Sequence, residues 1–134
     1  ARETIYLLDE IYQNKLSNEQ SATIIKQRGY GNVRVICDSA EPKSVADLRA
    51  MGLPAYEAVK GPGSVEYGMK FLQRRTIVID RKRTPHAYDE FMGYEYERNK
   101  DGDIISGYPD ANNHLIDATR YALEPVSRRM GVIA

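Results

Sequence analysis

Short runs of β-branched and aromatic residues alternate with segments of helical apolar period through most of the chain, and this alternation limits the possible folds more than any other feature. Glu3 to Tyr12 reads as a strand. Ser17-Asn-Glu-Gln20 is a capping box that opens a helix carrying Ala22, Ile24 and Ile25, and Gly29 should end it. Val33 to Cys37 is a second strand, delivering Asp38 at its carboxyl end. Pro42 suits the first turn of the next helix, with Val45, Leu48 and Met51 as its apolar stripe and Gly52 as its stop. Ala55 to Val59 is a third strand. The loop Lys60-Gly-Pro-Gly-Ser64 follows, with Ser64 as the expected cap of a helix bearing Val65, Gly68, Met69 and Leu72, where the small Gly68 allows close packing. Thr76 to Asp80 is a fourth strand, and Thr84 with Pro85 opens a helix toward Phe91 and Met92.

The last third of the chain changes pattern. Tyr94 to Glu97 and Ile104-Ile105 flank Asn99-Lys-Asp-Gly102, which reads as a β-hairpin with glycine at its tight position. The hairpin leads through Pro109 into an amphipathic helix over Asp110 to Leu123, with Asn112 or Asn113 as cap and Leu115, Ile116, Ala118, Ala122 and Leu123 on its apolar side. Alternating strands and helices predict an α/β domain with helices on both faces of a largely parallel sheet, to which the hairpin adds an antiparallel piece. A chain of 134 residues fits one domain. No apolar run reaches the roughly 20 residues of a membrane span, so no membrane partner is expected.

Composition narrows the chemistry further. Nineteen basic residues balance nineteen acidic ones, which removes a global electrostatic argument for nucleic acid and leaves local patches. One patch, Arg74, Arg75, Arg81, Lys82 and Arg83, surrounds the fourth strand with only Asp80 opposing it, and Arg128 and Arg129 lie near the end. A solvated face is the plain alternative for such a run. The single cysteine, Cys37, sits in an apolar run and reads as a small filler rather than a nucleophile. Asp38, following a strand, is a cap, a phosphate-accepting carboxylate or a metal ligand. In α/β sheets, sites gather at the carboxyl ends of strands. His114 and Asp117, three residues apart, share one helix face as a metal site or a proton-transfer pair would need, or as solvated polar residues.

Three segments, Asp38-Ser-Ala-Glu-Pro-Lys-Ser44, Lys60-Gly-Pro-Gly-Ser64 and Asn112-Asn-His-Leu-Ile-Asp-Ala-Thr-Arg-Tyr121, in this order and at these intervals, resemble the carboxy-terminal nuclease domain of the large terminase subunit of tailed bacteriophages. The Ile5 to Tyr12 strand and the helix start at Leu16-Ser-Asn-Glu-Gln20 are similar too, so the resemblance covers nearly the whole chain. It implies a ribonuclease H-like mixed sheet and a metal-dependent endonuclease that cuts concatemeric viral DNA during packaging. Carried over, Asp38 matches the acidic ligand at the end of the central strand, Asp117 the acidic ligand on the last helix, and His114 the histidine one turn before it. Two divalent ions need bridging carboxylates, and oxygen donors favour Mg²⁺ or Mn²⁺, with His114 as a weaker ligand or proton acceptor at the edge. Lys60 matches a lysine in the family's Lys-Gly loop, a phosphate contact or a solvated lysine. It precedes its glycines, so the loop is not a nucleotide-binding Walker element. With Arg81, Lys82 and Arg83 it forms the expected DNA-binding set.

The same resemblance sets further expectations. The family's nuclease domain begins with a strand bearing a first catalytic aspartate, followed by a second strand, both ahead of the segment resembling Ile5 to Tyr12. Residues 1–134 then correspond to a nuclease domain incomplete on its amino-terminal side and without the ATPase domain, with weak metal binding and poor cleavage by themselves. The Ile5 to Tyr12 strand or a strand of a second copy would fill the vacated edge of Val33 to Cys37. Glu10 belongs to a recurrent Asp-Glu pair and reads as a strand-end surface carboxylate. Double-stranded DNA, the ATPase domain, the portal and the small terminase subunit are the implied partners, and the host cytoplasm is the implied location. Another ribonuclease H-like nuclease, a resolvase or transposase core, and a non-catalytic portal-docking module are the competing readings.

Overall fold

The computed structural model describes residues 4–38, 42–94, 98–103, 108 and 112–129, the side chains of 128 and 129 excepted. The described elements run β1 (Thr4–Leu7), α1 (Asn18–Gln27), β2 (Val35–Cys37), α2 (Pro42–Ala50), β3 (Ala55–Glu57), α3 (Ser64–Gln73), β4 (Thr76–Ile79), α4 (Pro85–Gly93) and α5 (His114–Arg129). They fall into two compact units: residues 12–61 with the later part of α5 from Tyr121, and residues 4–11 with 62–120. Each unit carries one parallel strand pair.

In the unit of residues 12–61, β2 pairs with β3 in the register Val35↔Ala55, Ile36↔Tyr56 and Cys37↔Glu57. The capping box opens α1 as the sequence predicts: Ser17 Oγ accepts from Gln20 N at 3.1 Å and Gln20 Oε1 from Ser17 N at 2.9 Å. The box fixes where the helix starts, and so which residues face inward. Ala22, Val45, Leu48, Leu53 and Ala55 form the core, with Ile25, Cys37 and Met51 packed against it. Burial of Leu48 and Leu53 stabilises the unit by about 1.5 to 3 kcal/mol each. Gly52, at φ 90, makes the left-handed turn that ends α2, and Lys26 Nζ donates to the Met51 carbonyl beside it.

In the other unit, β1 pairs with β4 from Thr4↔Thr76 to Leu7↔Ile79, and α3 packs on β4. Period-two alternation leaves Tyr6 and Val78 exposed while Ile5, Leu7, Ile77 and Ile79 are half-buried. The predicted strand to Tyr12 stops at Leu7 because β4 offers no partner residue beyond Ile79. Among the described residues, the strand paired with β1 is β4 and the strand paired with β2 is β3.

One helix start differs from expectation and another agrees with it. Gly63, at φ 78, is the N-cap of α3 and accepts from Tyr67 N, so Ser64 is the first helical residue rather than the cap. A cap needs a non-helical backbone, and glycine reaches the left-handed one without strain. α5 begins at His114, directly after Asn113, one of the two expected caps, and runs on to Arg129 through Pro125; Asn112 takes φ 52 and the Asn113 carbonyl accepts from Asp117 N at 2.8 Å. Of the predicted hairpin, the turn is present, with Gly102 at φ 85 donating to the Asn99 carbonyl and Asn99 N donating to the Asp103 carbonyl. Its flanking segments 95–97 and 104–107, and residues 109–111, lie outside the described residues.

Candidate functional site

Parallel pairing of β2 with β3 sends both strands out at the same end, so Asp38 and the loop after β3 emerge side by side. Lys60, on that loop, forms an ion pair with Asp38 Oδ1, and both side chains are about half exposed. Its ammonium also lies 5.6 Å from the Tyr121 ring centroid. A pair this exposed contributes about 0 to 1 kcal/mol, weak enough for a stronger cation to displace. Lys60 is thus paired, while half exposed, with the carboxylate predicted as a ligand. Cys37, immediately before Asp38, is a free thiol whose pKa burial pushes up while Arg49 pulls it the other way. Burial prevails, which suits the filler role and keeps the thiolate scarce.

Asp117 lies in the first turn of α5, where the helix dipole favours a negative charge. Its side chain is 28% exposed, and Oδ1 sits 3.4 Å from Nη2 of Arg120, a long contact one turn away. Arg120 is 5% exposed at its side chain, and its Cγ and Cδ fill the space where a Cβ on Gly68 of α3 would stand. The glycine anticipated as a close-packing position thus makes room for the arginine that contacts Asp117. His114 is exposed at the first position of α5, three residues ahead of Asp117.

Two glutamates that local pattern did not single out as structural hold helix ends. Glu10, expected at the surface, has a side chain only 7% exposed. Its Oε1 accepts from Ala87 N at 2.9 Å, and its Oε2 accepts from His86 N at 3.2 Å and lies 2.6 Å from His86 Nδ1. It caps α4, which explains its burial: a carboxylate leaves water cheaply only when backbone donors replace the solvent. Both of its oxygens are engaged at this helix start. Glu90, on α4 and 8% exposed, accepts from Leu115 N at 2.8 Å and Ile116 N at 3.2 Å through Oε1. The signal for it was a carboxylate three residues after Ala87, on the buried stripe of an amphipathic helix.

Arg81, Lys82 and Arg83 form the turn between β4 and α4. Asp80 builds it, its carbonyl accepting from Arg83 N and Thr84 N and its carboxylate from Lys82 N. All three basic side chains are exposed, and Arg81 lies 5.2 Å from the Tyr88 ring centroid. Among the described residues, no group of three or more His, Cys, Asp or Glu is placed to hold a metal ion, and no helix is long and apolar enough to cross a membrane.

Residues 1–125 match the family model of the terminase RNase H-like domain. The chain belongs to this terminase nuclease family. It is 41% identical over 131 residues to the large terminase subunit of Bacillus phage SPP1, covering 96% of this chain and 31% of that protein. It is 28% identical over 120 residues to the PBSX phage terminase large subunit of Bacillus subtilis strain 168, covering 90% and 28%. This terminase domain thus spans about a third of the length of both relatives. Among solved structures it matches the crystal structure of the large-terminase nuclease domain of bacteriophage SPP1 with bound Mn, at a TM-score of 0.84 and 39% identity over 93% of this chain and 72% of that one. The fold is therefore α/β and ribonuclease H-like, as the alternation of strands and helices and the three matching segments predict.

Proposed function

We propose that this chain is the nuclease part of a terminase large subunit that cuts concatemeric double-stranded viral DNA during packaging, using Mg²⁺ or Mn²⁺ held in part by Asp38 and Asp117. The observation that carries the proposal is the likeness to an SPP1 nuclease domain solved with Mn. Hard oxygen donors suit such ions, and each carboxylate is partly exposed and lies beside a cationic side chain, Lys60 or Arg120. The described residues supply two carboxylates, fewer than a two-ion site needs. The resemblance assigns a further aspartate to a strand preceding Ile5 in the family's order.

Divalent ions bound there would activate a water and stabilise the leaving oxygen of a phosphodiester. The chain's own groups divide the remaining work. Asp38 and Asp117 orient by offering oxygens from a strand end and a helix start. His114, exposed and three residues from Asp117, accepts a proton or acts as a weaker ligand. Lys60, released from Asp38, turns to a phosphate, and Arg81, Lys82 and Arg83 hold the DNA backbone without reading sequence. The ATPase domain, the portal and the small subunit complete the partners in the host cytoplasm.

Substitution in the full-length protein tests this reading. Asp38→Asn and Asp117→Asn should abolish nicking of supercoiled plasmid and weaken Mn²⁺ binding followed by electron paramagnetic resonance, with melting temperatures nearly unchanged, while His114→Ala loses less. Unaltered Mn²⁺ binding and cleavage in both aspartate variants would leave a non-catalytic docking module as the better account.

A further inference from the structure

The amino end of α5 is set from outside the helix. The acceptor for its Leu115 and Ile116 amides is Glu90 Oε1 of α4, at 2.8 and 3.2 Å, and Asp117 is the next residue along. Glu90 is 8% exposed, and its other oxygen, Oε2, is buried without a hydrogen-bond partner among the described residues. A carboxylate in this state gives up much of its hydration, which is tolerated because it faces two backbone donors and the positive end of a helix dipole. The consequence is a rigid tie: if α5 turned or slid by a fraction of a residue, the amides would leave a buried charge without donors. α4 is itself held at its start by Glu10, through His86 and Ala87, so the tie has a fixed anchor.

We propose that Glu90 is a positioning residue for Asp117: it fixes the height and rotation of the first turn of α5, and so the place where the Asp117 carboxylate meets the metal. This rests on the reading of Asp117 as a ligand. Groups that orient a metal ligand without touching the metal are worth about 10- to 100-fold in affinity when removed. Ordinary buried polar residues instead change stability and leave binding by the folded protein alone.

The test uses the full-length protein with Mn²⁺ as probe. Affinity is followed by electron paramagnetic resonance, and amide exchange of the segment containing Leu115 and Ile116 by mass spectrometry, well below the melting temperature. Glu90→Ala should speed exchange in that segment and weaken Mn²⁺ binding by about tenfold, whereas Glu90→Gln, which keeps an acceptor oxygen, should restore most of both. Glu90→Asp, whose carboxylate is drawn back by one methylene, should fall between them and serves if the alanine variant does not fold. Faster exchange with wild-type Mn²⁺ affinity in the alanine and aspartate variants would overturn the proposal, as would a Glu90→Gln loss equal to that of Asp117→Asn. If Asp117→Asn itself binds Mn²⁺ like the wild type, the metal reading fails first and the positioning role falls with it.

Discussion

Gly68→Ala is the substitution for which the structure makes the least ordinary prediction. Alanine in the interior of a helix usually stabilises by about 1 kcal/mol relative to glycine. Here a Cβ would stand closer than 3.0 Å to both Cγ and Cδ of Arg120, atoms in the middle of the side chain rather than at its free end. Arg120 is 5% exposed at its side chain, so it has little room to swing aside while keeping its guanidinium near Asp117. Overpacking of this kind costs about 1 to 3 kcal/mol. Set against the propensity gain, the net is a destabilisation of about 1 kcal/mol, or a fall in melting temperature of about 2 to 8 °C for a domain of this size. Thermal melts monitored by circular dichroism measure it, and a double-mutant cycle isolates the cause. With Arg120→Ala in place the stem is gone, so adding Gly68→Ala should become neutral or stabilising by up to about 1 kcal/mol. A rise in melting temperature on adding alanine to the wild type, or strict additivity of the two changes, would refute the packing argument.

Glu10→Ala leaves the His86 and Ala87 amides without their acceptor and should cost about 1 to 3 kcal/mol in urea unfolding, while Mn²⁺ binding by the folded protein falls by no more than in Glu90→Ala. Loss of metal affinity comparable to Asp38→Asn would instead make Glu10 a ligand. Replacing Arg81, Lys82 and Arg83 together with glutamine should weaken DNA binding about equally across sequences and reduce the slope of log affinity against log salt by up to about 3, read from a fluorescence titration at several salt concentrations. An unchanged slope would make the turn a solvated face.

The elements were legible because they obey local rules. The capping box at Ser17, the stop at Gly52 and the β-branched run at Thr76 to Ile79 each act within a few residues, and a reader of the sequence sees the same forces that the chain does. The position of Asp38 was legible for the same reason, since a carboxylate following a short apolar strand is exposed by construction. Strand length was less so: β1 ends where its partner ends, which Glu3 to Tyr12 cannot encode alone. The start of α5 next to Asn113 was legible, but the acceptor of its Leu115 and Ile116 amides was not, because Glu90 lies 25 residues away on another element. Lys60 was placed on the right loop, but its pairing with Asp38 depends on the β2–β3 register.

A common logic connects the two buried glutamates. Serine at Ser17 caps its own helix and needs nothing beyond the next turn, so α1 can start without reference to the rest of the unit. Glu10 caps a helix 76 residues later in the chain, and Glu90 caps one 25 residues later. Neither helix end is satisfied until the tertiary fold has formed, so these bonds cannot help nucleate the helices; they select where formed helices stop sliding. For α1 such selection is superfluous, because its inward face is apolar and tolerates small shifts at small cost. For α5 it is not, because a shift that apolar packing absorbs would still displace Asp117 by a distance comparable to the tolerance of a metal site, about 0.5 Å. A local cap would make α5 helical; a buried carboxylate on a neighbouring, already anchored helix also fixes its position. Spending a buried carboxylate on that end, when a serine would have sufficed for helicity, is the expected pattern for a helix whose first turn carries the proposed ligand.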